Sequence, residues 1–140
     1  MESFDSNILK VTNFFLSFLV GSLVFFSLVV APNIFKNLDQ KNARLFVRSI
    51  FPKVYLWSFI ISFILAILSL REDLTISIIL LLISLGFLFS RQYLTKWINN
   101  ISDQVKKNEK QKKKFLLLHT LSVFIFITQI FLLVFINFSI

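Results

Sequence analysis

Residues 107–131, KNEKQKKKFLLLHTLSVFIFITQIF, pass from a cluster of lysines into an apolar stretch whose single ionisable side chain is His119. A charge boundary this sharp is what a membrane surface imposes, because a charged group in hydrocarbon costs several kcal/mol whereas an apolar one does not. The apolar run continues to residue 136, and three others precede it, at 11–31, 54–70 and 74–90. None of the four contains Asp, Glu, Lys or Arg. At about 1.5 Å per residue they measure roughly 26 to 33 Å, against a hydrocarbon core of about 30 Å.

Composition leads the same way. Of 140 residues 56% are hydrophobic, nineteen are Phe, and Gly and Pro occur twice each, with a mean hydropathy of +0.81. A chain of this length folded in water buries only roughly two thirds of its surface, so much of this apolar surface must face lipid. The runs are continuous and too long for barrel strands of about ten residues. The predicted fold is all-α, a single-domain integral membrane antiparallel four-helix bundle over residues 1–140. The first run is expected to stay as a helix, since Glu2 and Asp5 precede it and Pro32 follows the small residues that a signal peptidase would read.

Charge sets the orientation. Residues 32–53 hold Lys36, Lys41, Arg44, Arg48 and Lys53, and residues 91–114 hold Arg91, Lys96, Lys106, Lys107, Lys110, Lys112, Lys113 and Lys114. Thirteen of the fifteen basic residues thus lie in two short loops, with Lys10 and Arg71 on the other side. The positive-inside rule makes those loops cytoplasmic and both termini external, in a bacterial cytoplasmic membrane. The expected partner is the bilayer itself, with anionic inner-leaflet lipids at the basic loops. A second copy of the chain or another membrane protein is a further candidate. Nucleic acid is not expected, because no stacking platform accompanies the charge.

The loops carry helical patterns of their own. Ala43, Phe46, Val47 and Ile50 alternate with Lys41, Arg44 and Arg48, which predicts a short interfacial amphipathic helix in the first cytoplasmic loop, N-capped by Asp39. Leu94, Ile98, Ile101 and Val105 extend the third helix beyond the bilayer, whereas Arg71, Glu72 and Asp73 form a tight turn between helices two and three. Tyr55, Trp57, Tyr93 and Trp97 are expected as interfacial anchors. Small or polar residues recur along each helix, where close approach is expected: Asn13, Ser17, Gly21 and Ala31; Ser58, Ser62, Ala66 and Ser69; Ser77 and Ser84; His119, Ser122 and Gln129.

The chemical inventory is thin. There is no Cys, one Met and one His, no acidic residue within an apolar run, and no nucleophile with a base. Disulfide exchange is excluded, a copper or zinc site within one chain lacks ligands, and the proton-coupled exchange that needs an embedded carboxylate lacks its group. The expectation is therefore a protein that is not an enzyme, with no cofactor and no metal site. His119, about one turn inside the cytoplasmic boundary, is either an uncharged structural ring bonded to a neighbouring helix or a proton or ligand group; a single haem ligand would need a partner chain. Lipid exposure would strand its ring nitrogens, so it is expected to face the interior near Ala31 and Pro32. Gln129 is expected to bond across helices, with Ser17 at a similar depth. Pro52 suits the first turn of helix two, and Pro32 should stop or kink helix one and free the Leu28 carbonyl.

Gly21, Ala31 and Pro32 followed by Phe35, Phe51 and Pro52, and Leu118 and His119 with Ser122 together give the chain a resemblance to the family similar to transmembrane protein 205, whose domain is of unknown function. The likeness extends from about Gly21 to Gln129. It implies a four-helix membrane protein with these motifs on the cytoplasmic half. Resemblance and physics converge on one candidate site, a polar ligand or structural site made of His119, Ser122, Gln129, Ser17, Gly21, Ala31, Pro32, Phe35, Phe51 and Pro52. The expected function is binding or moving a small molecule or ion at that site. The alternatives are an assembly or accessory protein acting through its basic face and, behind both, a haem or redox membrane enzyme.

Overall fold

The computed structural model describes residues 2–104 and 109–140, and among them every regular element is helical. Helix α1 (Glu2–Phe25) passes through a π-turn at Phe26–Val30 into α2 (Ala31–Asn37). After the extended pair Leu38 and Asp39 comes α3 (Gln40–Ser69), then α4 (Leu74–Phe89), which passes through a second π-turn at Ser90–Leu94 into α5 (Thr95–Gln104). The last helix is α6 (Glu109–Ser139). Four continuous helices are long and apolar enough to cross a membrane: Asp5–Asn37, Gln40–Ser69, Leu74–Gln104 and Glu109–Ser139. The chain therefore has the make-up of an integral membrane protein.

These helices run 30 to 33 residues, or about 45 to 50 Å at 1.5 Å per residue. The apolar runs delimit only their middles, because backbone hydrogen bonding continues past the end of the hydrocarbon. Two expectations change as a result. Residues 40–50 are helical, with Asp39 as N-cap accepting from the Asn42 backbone, but they belong to the same helix as residues 54–69 and form no separate element. Pro52 sits in the interior of α3 rather than in its first turn. The missing N–H removes one bond of the ladder, the one that would reach the Arg48 carbonyl, and the helix continues past it to Ser69. Val105, Lys106 and Lys107 lie outside the described residues.

Pro32 likewise does not end helix one. Its ring crowds the carbonyl four residues back, and the turn before it is widened, with the Ala31 N–H donating to the Phe26 carbonyl five residues away. The Asn33 side-chain amide donates to the Val29 carbonyl at 2.8 Å, satisfying another acceptor of that turn.

Turn chemistry closes the α3 to α4 connection as the sequence predicts. Glu72 and Asp73 donate back to the Ser69 carbonyl, and the Asp73 carboxylate accepts from Thr75 and Ile76 at 2.8 and 3.1 Å, capping α4. The small residues Ser58, Ser62, Ala66 and Ser69 of α3 and Ser77 and Ser84 of α4 are all buried, and Ser77 donates across to the Ala66 carbonyl at 2.6 Å. Ser58, Ser62 and Ser84 bond carbonyls of their own helices, so this packing leaves their hydroxyls satisfied.

Helix one packs differently. Its buried face is Thr12, Leu16, Leu19, Leu23 and Phe26, while Ser17 and Gly21 are exposed, and nothing lies within 4 Å of where a Cβ on Gly21 would sit. Ser17 is one residue, about 100° of arc, from Leu16, which turns the small-residue stripe away from the core. Helix α6 is the least buried of the four, contributing Phe126, Gln129, Leu133 and Ile136. It packs on α1, α4 and α5.

Candidate functional site

Cross-helix contacts define a common level. Phe26 meets Phe51 edge-on at 5.4 Å, Phe51 meets Tyr55 at 5.8 Å, and Tyr55 lies 6.4 Å from Phe87 and 6.0 Å from Phe126. One aromatic chain thus links all four long helices. Beside it lies a partly open cavity of about 550 Å³ lined by residues of all four long helices, and its lining surface is almost wholly apolar. Both π-turns adjoin it. Phe26, Ser27 and Leu28 of the first line it, and so does Thr95, whose hydroxyl donates to Ser90 of the second.

Of the candidates named from sequence, His119, Ser122, Ala31 and Phe51 line this cavity. The others do not. Pro32 and Phe35 are exposed, and Pro52 is half-buried outside the lining. Gln129 is buried elsewhere, between α6 and α4, with its Nε2 donating to the Ile83 carbonyl at 3.1 Å. The bond across helices is present, but its partner is not Ser17. Ser17 donates instead to the Asn137 side chain at 2.8 Å, two turns further along α6. Depth reckoned from the ends of apolar runs misaligns the two helices, because α1 begins well before residue 11.

Gly86 explains how Gln129 fits. A Cβ there would stand 2.5 Å from Gln129 Nε2, so the amide occupies the space a side chain would fill. Sequence reasoning passed over this glycine, although a lone glycine in a leucine-rich helix is a fair signal of close approach.

His119 is on the cavity wall yet exposed, stacked on Phe115 of its own helix with ring centroids 5.8 Å apart and planes 10° from parallel. Among the described residues it makes no hydrogen bond to helices one to three. Tyr55, expected as an interfacial anchor, is buried instead, with Ser122 within hydrogen-bonding reach of its hydroxyl. Trp57, Tyr93 and Trp97 are exposed, as anchors would be. The signal for Tyr55 was available: stepping back from Ser62 and Ser58 by three and four residues gives Tyr55, Phe51 and Arg48, all on the buried stripe of α3.

Arg48 is the other residue that sequence reasoning placed elsewhere. It lines the cavity, donates to the Asn99 carbonyl at 3.3 Å and forms an ion pair with Asp103, tying α3 to α5. Its side chain is 27% exposed, against 60% for that of Asp103. Of the polar lining residues, Arg48, Thr95, Asn99, His119 and Ser122 lie toward the end nearer the basic segments and Ser27 and Tyr55 further in, whereas Val24, Ile130 and Phe131 line the other end.

Residues 14–107, about two thirds of the chain, match the family DUF4149, described as a domain of unknown function. The chain belongs to the DUF4149 family. The match takes in the second half of α1 and α2 to α5, and it stops short of α6, so His119, Ser122 and Gln129 lie beyond it. The match agrees with the expectation of a domain of unknown function and by itself does not confirm the likeness to transmembrane protein 205. No curated protein and no solved structure matches the chain.

Proposed function

We propose that this DUF4149 protein is an antiparallel four-helix bundle of a bacterial cytoplasmic membrane, with basic segments in the cytoplasm and both termini outside, and that it binds or moves a small, largely apolar molecule at the cavity beside His119. It does so without catalysing a reaction. Support for the topology comes from the thirteen-to-two division of Lys and Arg and from the order of the contacts, since residue numbers rise on one helix as they fall on its neighbour: Phe18 with Trp57, Phe26 with Phe51, Ala66 with Ser77, Tyr55 with Phe87. About ten residues of α3 exceed what a core of about 30 Å can hold at about 1.5 Å per residue. Residues 40–50 then lie among the headgroups as the interfacial part of that helix, where Lys41 and Arg44 meet anionic lipid.

The observation that carries the functional reading is the cavity: about 550 Å³, within the usual range of roughly 300 to 1,000 Å³ for small-molecule sites, with polar groups at one end. An apolar lining favours an apolar body over a hydrated ion, which narrows the expectation from sequence. The accessory reading rests on exposed Lys36, Lys41, Arg44, Lys53 and Lys96, which suit an acidic surface as well as lipid.

Photolabelling with a small apolar diazirine in nanodiscs tests the cavity reading. Label is expected on residues 24–28 and 122–131, and Ser122→Phe, which fills the cavity, should suppress it, whereas Leu82→Phe on the exposed face of α4 should not. Label spread evenly over Phe135, Phe138 and other lipid-facing residues, untouched by Ser122→Phe, would contradict it.

A further inference from the structure

Resting on the reading of the cavity as a binding site, we infer that its ligand is a single-chain amphiphile with an anionic head, the tail lying between the first and fourth helices and the head meeting Arg48. Three observations converge. The first is polarity along the cavity: Arg48, Asn99 and His119 stand at one end, and Val24, Ile130 and Phe131 at the other. The second is length. From His119 to Phe131 the wall follows α6 for twelve residues, about 18 Å at 1.5 Å per residue, close to half of a hydrocarbon core of about 30 Å. A cavity one leaflet deep, partly open and polar at its surface end, has the shape of one acyl chain with its head.

The third is charge. Among the described residues of the lining Arg48 is the charged one and none is a carboxylate, and Lys112, Lys113 and Lys114 stand one to two turns before His119 on α6. The bonds that Arg48 makes, to the Asn99 carbonyl and to Asp103, both come from one terminal nitrogen. A guanidinium has five N–H donors in a planar fork suited to carboxylate or phosphate. Because Asp103 is the more exposed partner, an incoming anionic head can displace it or share the arginine with it.

Binding of oleate, a monoacyl phosphate, oleyl alcohol and oleylamine to the full chain in neutral detergent, read by native mass spectrometry, separates the possibilities. Both anions are expected to bind about tenfold tighter than the alcohol, as charge-assisted hydrogen bonds to Arg48 would give, and the amine more weakly than either. Arg48→Gln should remove that preference while leaving the alcohol bound, and Arg48→Lys should retain part of it. Asp103→Asn should strengthen anion binding by freeing the arginine. If the ion pair were only a brace between α3 and α5, Asp103→Asn would weaken all four ligands alike, and the inference would fall. Equal affinity for oleate and oleyl alcohol, unchanged in Arg48→Gln, would also overturn it while leaving the cavity as a site. Binding of none of the four would remove the functional reading beneath it.

Discussion

Gln129 shows how a single polar side chain is accommodated among apolar helices: its Nε2 is paired, while its Oε1 is buried with no partner among the described residues. Its Nε2 reaches the Ile83 carbonyl only because Gly86, one turn along α4, leaves the space. Two opposing effects then govern Gly86→Ala: alanine favours helix by about 1 kcal/mol, while the added Cβ pushes the amide off its acceptor and forfeits an interhelical bond of about 0.6 to 2 kcal/mol. The expected outcome is conditional. Gly86→Ala should be neutral or destabilising with Gln129 present and stabilising in a Gln129→Ala background, with a coupling of about 0.5 to 3 kcal/mol in a double-mutant cycle of unfolding in detergent. Strictly additive effects would mean that the two residues do not share this space. That Gln129 would be buried and bonded across helices was legible in the sequence, since an amide in hydrocarbon has few other options. Its partner was not, because the bond goes to a backbone carbonyl, and every residue offers one.

At the scale of elements, the number of helices and the tight turn at Arg71, Glu72 and Asp73 could be read directly, because lipid thickness and capping chemistry act on local sequence. Helix ends were less legible. Hydropathy marks where a helix leaves hydrocarbon, whereas the polar extensions Lys36 to Asn37 and Gln40 to Ile50 continue the same hydrogen-bond ladder. The π-turns were not legible at all. The first directly precedes Pro32, and its widened turn sets Phe26, Ser27 and Leu28 on the cavity wall. Pro32→Ala removes the ring that crowds this turn, so the turn should tighten to regular α geometry and rotate those side chains. Thermal stability should hold or rise while cavity photolabelling falls. Labelling undiminished in Pro32→Ala would show that the widened turn does not depend on the proline.

For the whole molecule, the decisive physical quantity is the asymmetry of charge. Because the chain has no Cys, single cysteines report sidedness on a silent background: Lys113→Cys should resist an impermeant maleimide applied to sealed cells, and Asp5→Cys should react. The reverse pattern would invert the bundle and put the cavity in the outer leaflet. The candidate site itself was half legible. His119, Ser122, Ala31 and Phe51 line one cavity, though His119 is exposed where an interior position was expected, and Arg48 and Tyr55, read from sequence as surface residues, line it with them. Surface and interior are hard to tell apart at the end of a membrane helix, since long amphipathic side chains suit both. The sharpest test is a crystal structure grown from a lipidic mesophase. Elongated density, one leaflet deep, is expected between Val24 and Phe131 with its polar end at Arg48; a fourth helix closed onto the first, with no space beside His119 and Ser122, would rule the binding site out.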